Sequence, residues 1–399
     1  MGLTARLAGR RAAVLVAEVP GWGRARCAVE QEVRRRGWRL AASPADADVL
    51  VVCGRPGARL AAAVDLVWDQ LPGPRARVQV LDPAEAAPAL DGAAAELSDE
   101  AAQRNDARSR PDEPAQGVLA TDTTAGVEAA ARPGAGADAE PPAWDDPHPG
   151  PGDEQDDDPD ADQHAARDGD GDGDGDGDGD GMDMDMDHGG MDMDMPMPGG
   201  IPLAGAGEDG QLPDPDQLDL DVLHVPLGPV LPHWPAGLLL HITVQGELVV
   251  AAHAEVLEPA GAPPAGPALH GTPAGRWDAV ATLLALAGWA DAAAGAARLR
   301  DAALAGEVPA DDAARLARRI RRSRLTRWSL RGVGALPEGD AADRLAHWLG
   351  GTDTDTALPI TLEQVAGLVT GLDLATARLV VASLDLDTTD RVPVPVQTP

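Results

Sequence analysis

The chain has 399 residues and a formal net charge of −34, with two Cys, no Phe and no Tyr. Its nine Trp carry all the Phe/Tyr/Trp bulk, so a core must be built from Leu, Val and Ala around Trp anchors. Two cysteines exclude a disulfide framework and suit a reduced compartment, which makes a cytoplasmic location the default.

In chain order, Arg6, Arg10 and Arg11 precede a short apolar run, but Glu18 and Pro20 interrupt it, so Ala12 to Val19 reads as a strand and not as a signal peptide. Ala13 to Ala17 and Val49 to Val52 lack alternation, as strands covered on both faces do, and Arg77 to Leu81 is a third strand. A helix over Ala25 to Arg36 is closed by Gly37. A second carries Leu60, Val64, Val67, Trp68 and Leu71 at helical spacing and ends before Pro72 and Pro74. The βαβαβ order predicts a small three-layer α/β domain with a short parallel sheet over residues 1–97.

From 98 to 221 periodicity disappears. Residues 101–221 hold 34 acids against 5 Arg, whereas the first 100 residues are balanced and residues 222–399 sum to −5. A Gly-Asp repeat runs from Asp168 to Gly181, followed by a Met-Asp block from Met182 to Met197. This composition predicts a disordered, self-repelling Asp/Gly/Met-rich linker.

Order returns as two β-like runs, Leu238 to Val244 and Glu247 to Ala251, joined as a hairpin. Helices are expected at about 276–304, 311–330, 340–349, 361–370 and 374–384, with Asp340 opening one and Thr361 with Gln364 forming a capping box. Residues 222–390 thus read as a mainly α domain with a β-hairpin, and 391–399 as a loose, Pro-rich tail. The longest apolar stretch, around Ala279 to Ala290, falls short of the roughly 20 residues that span a bilayer. Direct membrane insertion is not expected.

Three ordered motifs carry a family likeness. Gly23-Arg24-Ala25-Arg26-Cys27-Ala28-Val29-Glu30 is similar to a Gly-x-x-Cys-Cys-x-x-Glu turn. Ser43-Pro44-Ala45-Asp46-Ala47-Asp48 leads into a strand ending Cys53-Gly54, and Asp69-Gln70-Leu71-Pro72-Gly73-Pro74 closes the next helix. Together these about 60 residues resemble the iron-sulfur subunit of NADH:quinone oxidoreductase (complex I) that carries a single four-iron cluster, and the related hydrogenase small subunits. The resemblance implies that such a cluster would be held by four cysteine thiolates. Here the tandem pair is reduced to Arg26 and Cys27, the third ligand position falls among Val80, Leu81 and Asp82, and the fourth is not reached. Cys27 is therefore read as a vestigial cluster position. A lone thiol beside Arg26 with a lowered pKa is the alternative. Gly21-Trp22-Gly23 lacks the third glycine of a dinucleotide turn, so nucleotide binding is rejected.

A second, weaker likeness lies in Gly228-Pro229-Val230-Leu231-Pro232-His233-Trp234-Pro235-Ala236-Gly237, which resembles the opening hairpin of the quinone-pocket subunit of the same complex. Leu231 replaces its first histidine, and His233 falls near the second, as a vestigial quinone position.

In the linker, Met182, Met184, Met186, Met191, Met193 and Met195 surround His188. Thioethers are soft ligands, so the tract is a candidate for weak copper capture. Asp172, Asp174, Asp176, Gly177, Asp178, Asp180 and Asp183 match the spacing of a calcium loop but lack its closing Glu and flanking helices, giving at most weak Ca²⁺ binding. Farther on, Arg315, Arg318, Arg319, Arg321, Arg322, Arg324, Arg327 and Arg331 share one predicted helix whose apolar side is Leu316, Ile320 and Trp328. A domain summing to −5 is not a nucleic-acid binder, so this face is solvated, or it folds back on the acidic linker or docks an acidic partner.

The two likenesses together imply a non-catalytic accessory or scaffold subunit of a quinone oxidoreductase or membrane hydrogenase type complex. Its partners would be membrane-associated oxidoreductase subunits, and it would lie in the cytoplasm or peripherally at the membrane through them. No resident cofactor is expected, and a 4Fe-4S cluster only if a partner supplies ligands. The alternatives are an active redox subunit and a metal-binding protein acting through the Met/Asp/His tract.

Overall fold

A computed structural model of the full chain describes residues 11–110, 221–263, 268–351 and 360–389. The expected class holds: a short parallel sheet with helices, joined to a second segment of antiparallel strands and helices.

Four strands, β1 (Ala13–Glu18), β2 (Arg39–Leu40), β3 (Val49–Cys53) and β4 (Ala76–Val80), form a parallel sheet in the order β2-β1-β3-β4. All five residues of β3 are buried, which is why its sequence is an unbroken apolar run. Val14 to Glu18 register against Val49 to Cys53, and the Asp48 carboxylate accepts from the Ala13 backbone N–H at 2.8 Å. Helices α1 (Gly23–Arg35), α2 (Ala58–Gln70) and α3 (Ala86–Ser98) complete this layer, and α4 (Glu100–Ser109) follows.

The last of these corrects one boundary. The linker expected from residue 98 is helical through Ser109. Asp99 caps α4 by accepting from Ala101 and Ala102. Arg75, in the turn before β4, then ties the helix down. It pairs with Asp106 at 3.0 Å and lies 4.0 Å over the Trp68 ring, while the Gln103 carboxamide bonds both the N–H and the C=O of Arg75. Helix α4 has no buried residue, so apolar periodicity could not reveal it.

In the C-terminal segment, β5 (Val222–Leu227), β6 (Leu238–Gln245) and β7 (Leu248–Val256) form an antiparallel sheet in that order. The expected hairpin is present as β6 and β7. Strand β5 is additional; its residues are largely exposed and it contains Pro226, so neither alternation nor an apolar run marks it. Helices α5 (Pro273–Leu286), α6 (Ala290–Leu304), α7 (Ala310–Arg322), α8 (Arg324–Leu330), α9 (Ala341–Gly350), α10 (Leu362–Val369) and α11 (Leu374–Ser383) follow.

Two predicted helices are each divided. The expected 276–304 helix breaks at Gly288, which takes a left-handed φ of 79° that terminates a helix at little cost for glycine. The expected 311–330 helix breaks at Ser323, whose hydroxyl accepts from the Thr326 N–H and so caps α8.

The described residues on both sides of the acidic stretch belong to one compact unit. Val230, Leu239 and Leu257 are buried in the same core as β1, β3 and β4. Pro56 bridges Pro259, the Gly57 N–H donates to Glu258 O at 3.1 Å, and the Ala260 N–H donates to Arg55 O at 2.8 Å. A Cβ at Gly57 would sit 2.4 Å from Glu258 O, so only glycine admits this backbone approach. The remaining core divides between α5, α6 and the helices packed on them, and β6 and β7 with α10 and α11.

Candidate functional site

The chain leaves β1 toward β2 on one side and β3 toward β4 on the other, so the carboxyl ends of β1 and β3 define a switch point, where open parallel sheets leave a crevice. A cleft of about 720 Å³ lies there. One wall is the end of β1 and the first turns of α1, with Glu18, Trp22, Arg26 and Glu30. The other comes from the C-terminal segment, with the Pro229 to Ala236 turn, His270, Asp278, Arg378 and Asp385. Gly54 after β3 has φ 112°, and a Cβ there would lie 2.6 Å from the Trp22 ring. Its absence lets Trp22 bury itself against the turn. The Trp22 indole N–H is then buried with no protein acceptor.

Between the walls runs an ionic network. Arg26 donates to Glu18 at 2.5 Å, to Glu30 at 2.8 Å and to Asp278 at 2.5 Å. Arg300, only 1% exposed, reaches Glu30 at 2.6 Å, Asp278 at 2.8 Å and Asp301 at 3.0 Å, and Asp301 also pairs with Arg34. Helix α1 is thus bonded to α5 and α6 by charge. Three guanidiniums face four carboxyls, leaving an excess negative charge at low solvent access. Burial raises Glu30 and Asp278, but Arg26 and Arg300 overcome it and hold both carboxyls below their usual range. Glu18, with Arg26 as its ion-pair partner, is the carboxyl that burial leaves raised, assisted by the charges of Asp278 and Glu30.

Desolvation lifts Cys27, fully buried, to about 12, and Arg26 and Arg300 recover only part of that. The low-pKa alternative for this thiol is thereby corrected: burial outweighs the neighbouring arginine, because the side chain points into protein and the cleft wall is formed by its neighbour Arg26. Cys53 is also buried and raised by desolvation.

His233 does reach the cleft, and so stands across from Arg26, whereas Cys27 does not line it. Its φ of 59° is left-handed, unusual for a residue with a side chain. The ring has open surface within the concavity, yet desolvation there lowers its pKa, with Arg26 and Arg378 adding to the effect and Glu30 and Asp278 opposing it. Arg378 donates to Pro232 O at 2.9 Å, which fixes the turn that presents His233. Asp385, also at a left-handed φ of 47°, lies 3.5 Å from His270. Burial pushes its carboxyl up to about 6.

Comparison with protein-family models, curated proteins and solved structures gives no match.

The Met182, Met184, Met186, His188, Met191, Met193 and Met195 tract and the Asp172 to Asp183 repeat lie outside the described residues. Among the described residues no group of three or more His, Cys, Asp or Glu side chains is arranged to hold a metal ion, and no helix is long and apolar enough to cross a membrane. Sequence reasoning missed Asp278, Arg300, Asp301 and Asp385. An acid or arginine inside an otherwise apolar helix, as at Asp278 and Arg300, was the available signal, since such residues are rarely buried without partners.

Proposed function

We propose that this chain is a non-catalytic accessory or scaffold subunit of a quinone-oxidoreductase or membrane-hydrogenase type complex, one that has lost cluster binding. The observation that carries the reading is Arg26. At the tandem-cysteine position it is a guanidinium shared by Glu18, Glu30 and Asp278, so the place of a cofactor ligand is taken by a structural cation. The neighbouring thiol is buried and protonated and unsuited to ligate iron, which requires thiolate.

On this reading the segment that resembles the iron-sulfur subunit is locked through α1 to α5 and α6 of the C-terminal segment by charge instead of through a redox centre. The chain has no resident cofactor; a cluster would require a partner's ligands. Its partners are membrane-associated oxidoreductase subunits, and its location is the cytoplasm or the membrane periphery. Affinity purification of the full chain from detergent-solubilised membranes, with subunit identification, iron analysis and visible spectroscopy of the tagged chain after partner removal, tests this. The expected result is co-purification with membrane oxidoreductase subunits and a colourless, iron-free chain. Recovery as a free monomer, or retention of iron with cluster absorption, would overturn it.

A further inference from the structure

The short helix α8 carries a different surface. Its inward side is Thr326 and Leu330, both buried, while Leu325 is 73% and Trp328 69% exposed. At 100° per residue, Trp328 occupies the pole opposite the buried side, with Leu325 on one flank and Arg324 on the other. An apolar pair is thus held at the outermost point of the helix, exposed among the described residues.

Around that pole the charge has one sign. Residues 310–331 hold eight arginines against two aspartates, and both aspartates lie in the first turn of α7, away from α8. Arg321, Arg322 and Arg324 make no ion pair among the described residues, and Arg327 spends one N–H on the Arg321 carbonyl at 2.7 Å. We propose that α8 and the end of α7 form a peripheral docking surface for an anionic lipid bilayer, with Trp328 and Leu325 entering the headgroup region and the arginines meeting lipid phosphates.

The chemistry favours a bilayer over an acidic protein. A protruding apolar pole needs a yielding medium or a matching pocket, and the interface accepts an indole ring and a leucine without one. Each nearby basic residue adds attraction to an anionic surface. This inference rests on α7 and α8 and is independent of the fate of the cluster position.

The full-length chain would be floated with extruded phosphatidylglycerol/phosphatidylcholine vesicles and with phosphatidylcholine vesicles alone. Flotation is expected only with the anionic vesicles and is expected to weaken as salt rises. The double variant Leu325→Ser/Trp328→Ser, at exposed positions and expected to keep the wild-type thermal melt, is expected to lower vesicle affinity at least about tenfold. Arg322→Glu/Arg324→Glu is expected to do the same while retaining both apolar groups. Absence of flotation with anionic vesicles, or unchanged binding by the Leu325→Ser/Trp328→Ser variant, would overturn the proposal. So would equal capture on polyglutamate beads that survives that variant, since it would assign the face to an acidic macromolecule.

Discussion

Replacing Arg26 with Ala removes the cation on which three carboxyls converge. Glu30 and Asp278 keep Arg300, at 2.6 and 2.8 Å, but Glu18 loses its ion-pair partner among the described residues. Breaking a buried pair by deleting one member typically costs 3–5 kcal/mol. The surviving Arg300 contacts and the ability of Glu18 to protonate place this case near the lower end, at about 3 kcal/mol. For a folded unit of this size the melting temperature should fall by roughly 6–12 °C. The deficit also has a pH signature. Glu18 is already raised in the native protein, and losing Arg26 raises it further, so the native state of the variant holds a proton that the unfolded state releases. The deficit is therefore largest near pH 8 and shrinks as the pH falls toward 5, because protonation of the carboxyls removes the charge that Arg26 had compensated. Calorimetry of wild type and Arg26→Ala across that range measures both quantities. A melting temperature within about 1 °C of wild type at pH 8, or a deficit that grows on acidification, would show that the network does not couple α1 to α5 and α6 as described.

Other substitutions probe separate links. Asp385→Asn keeps the shape and tolerates the left-handed φ. Because the native carboxyl is raised to about 6 from 3.8, its ionisation costs stability as pH rises between those values. The variant should be more stable than wild type above pH 6, by about 1 kcal/mol after allowing for solvent access, and indistinguishable below about pH 4 in urea titrations. Glu255, held at about 2 chiefly by the Arg59 hydrogen bond, contributes stability present above pH 4.5 and lost as pH falls through about 2. Arg59→Ala should weaken that part of the acid-unfolding profile, leaving the share held by His241 at 2.7 Å. Gly57→Ala would push its Cβ to 2.4 Å from Glu258 O and should destabilise by about 1–3 kcal/mol in denaturant unfolding. An unchanged midpoint would mean that the two segments separate easily there. Cys27 should resist thiol reagents at pH 8 in the native state and react promptly in denaturant, whereas fast native labelling would contradict its burial.

The parallel sheet was legible from the runs Ala13 to Ala17 and Val49 to Val52, since strands covered on both faces must be apolar throughout. The hairpin of β6 and β7, the Asp340 cap and the Thr361–Gln364 capping box were likewise local, and local patterns need no knowledge of what lies opposite. Helix α4 and strand β5 were not legible: α4 is held by Arg75, Gln103 and Asp106 rather than by apolar contacts, and β5 exposes most of its residues.

The candidate site divides the same way. Cys27 and His233 were identified by motif position, but their environments were not. The sequence places Arg26 beside Cys27 and leaves an activated thiol open as the alternative reading; folding turns Cys27 into the core, where desolvation outweighs the nearby charge. Asp278 lies 252 residues from Arg26 and Arg300 lies 270 residues from Glu30, beyond any periodicity or spacing rule. Composition and local pattern by themselves determined the class of fold and the acidic interruption. Only the tertiary structure decided that both flanking segments share one core and that a charge network joins them at the sheet edge. Partnering between buried charges depends on three-dimensional proximity and desolvation, neither of which a linear order of residues encodes locally.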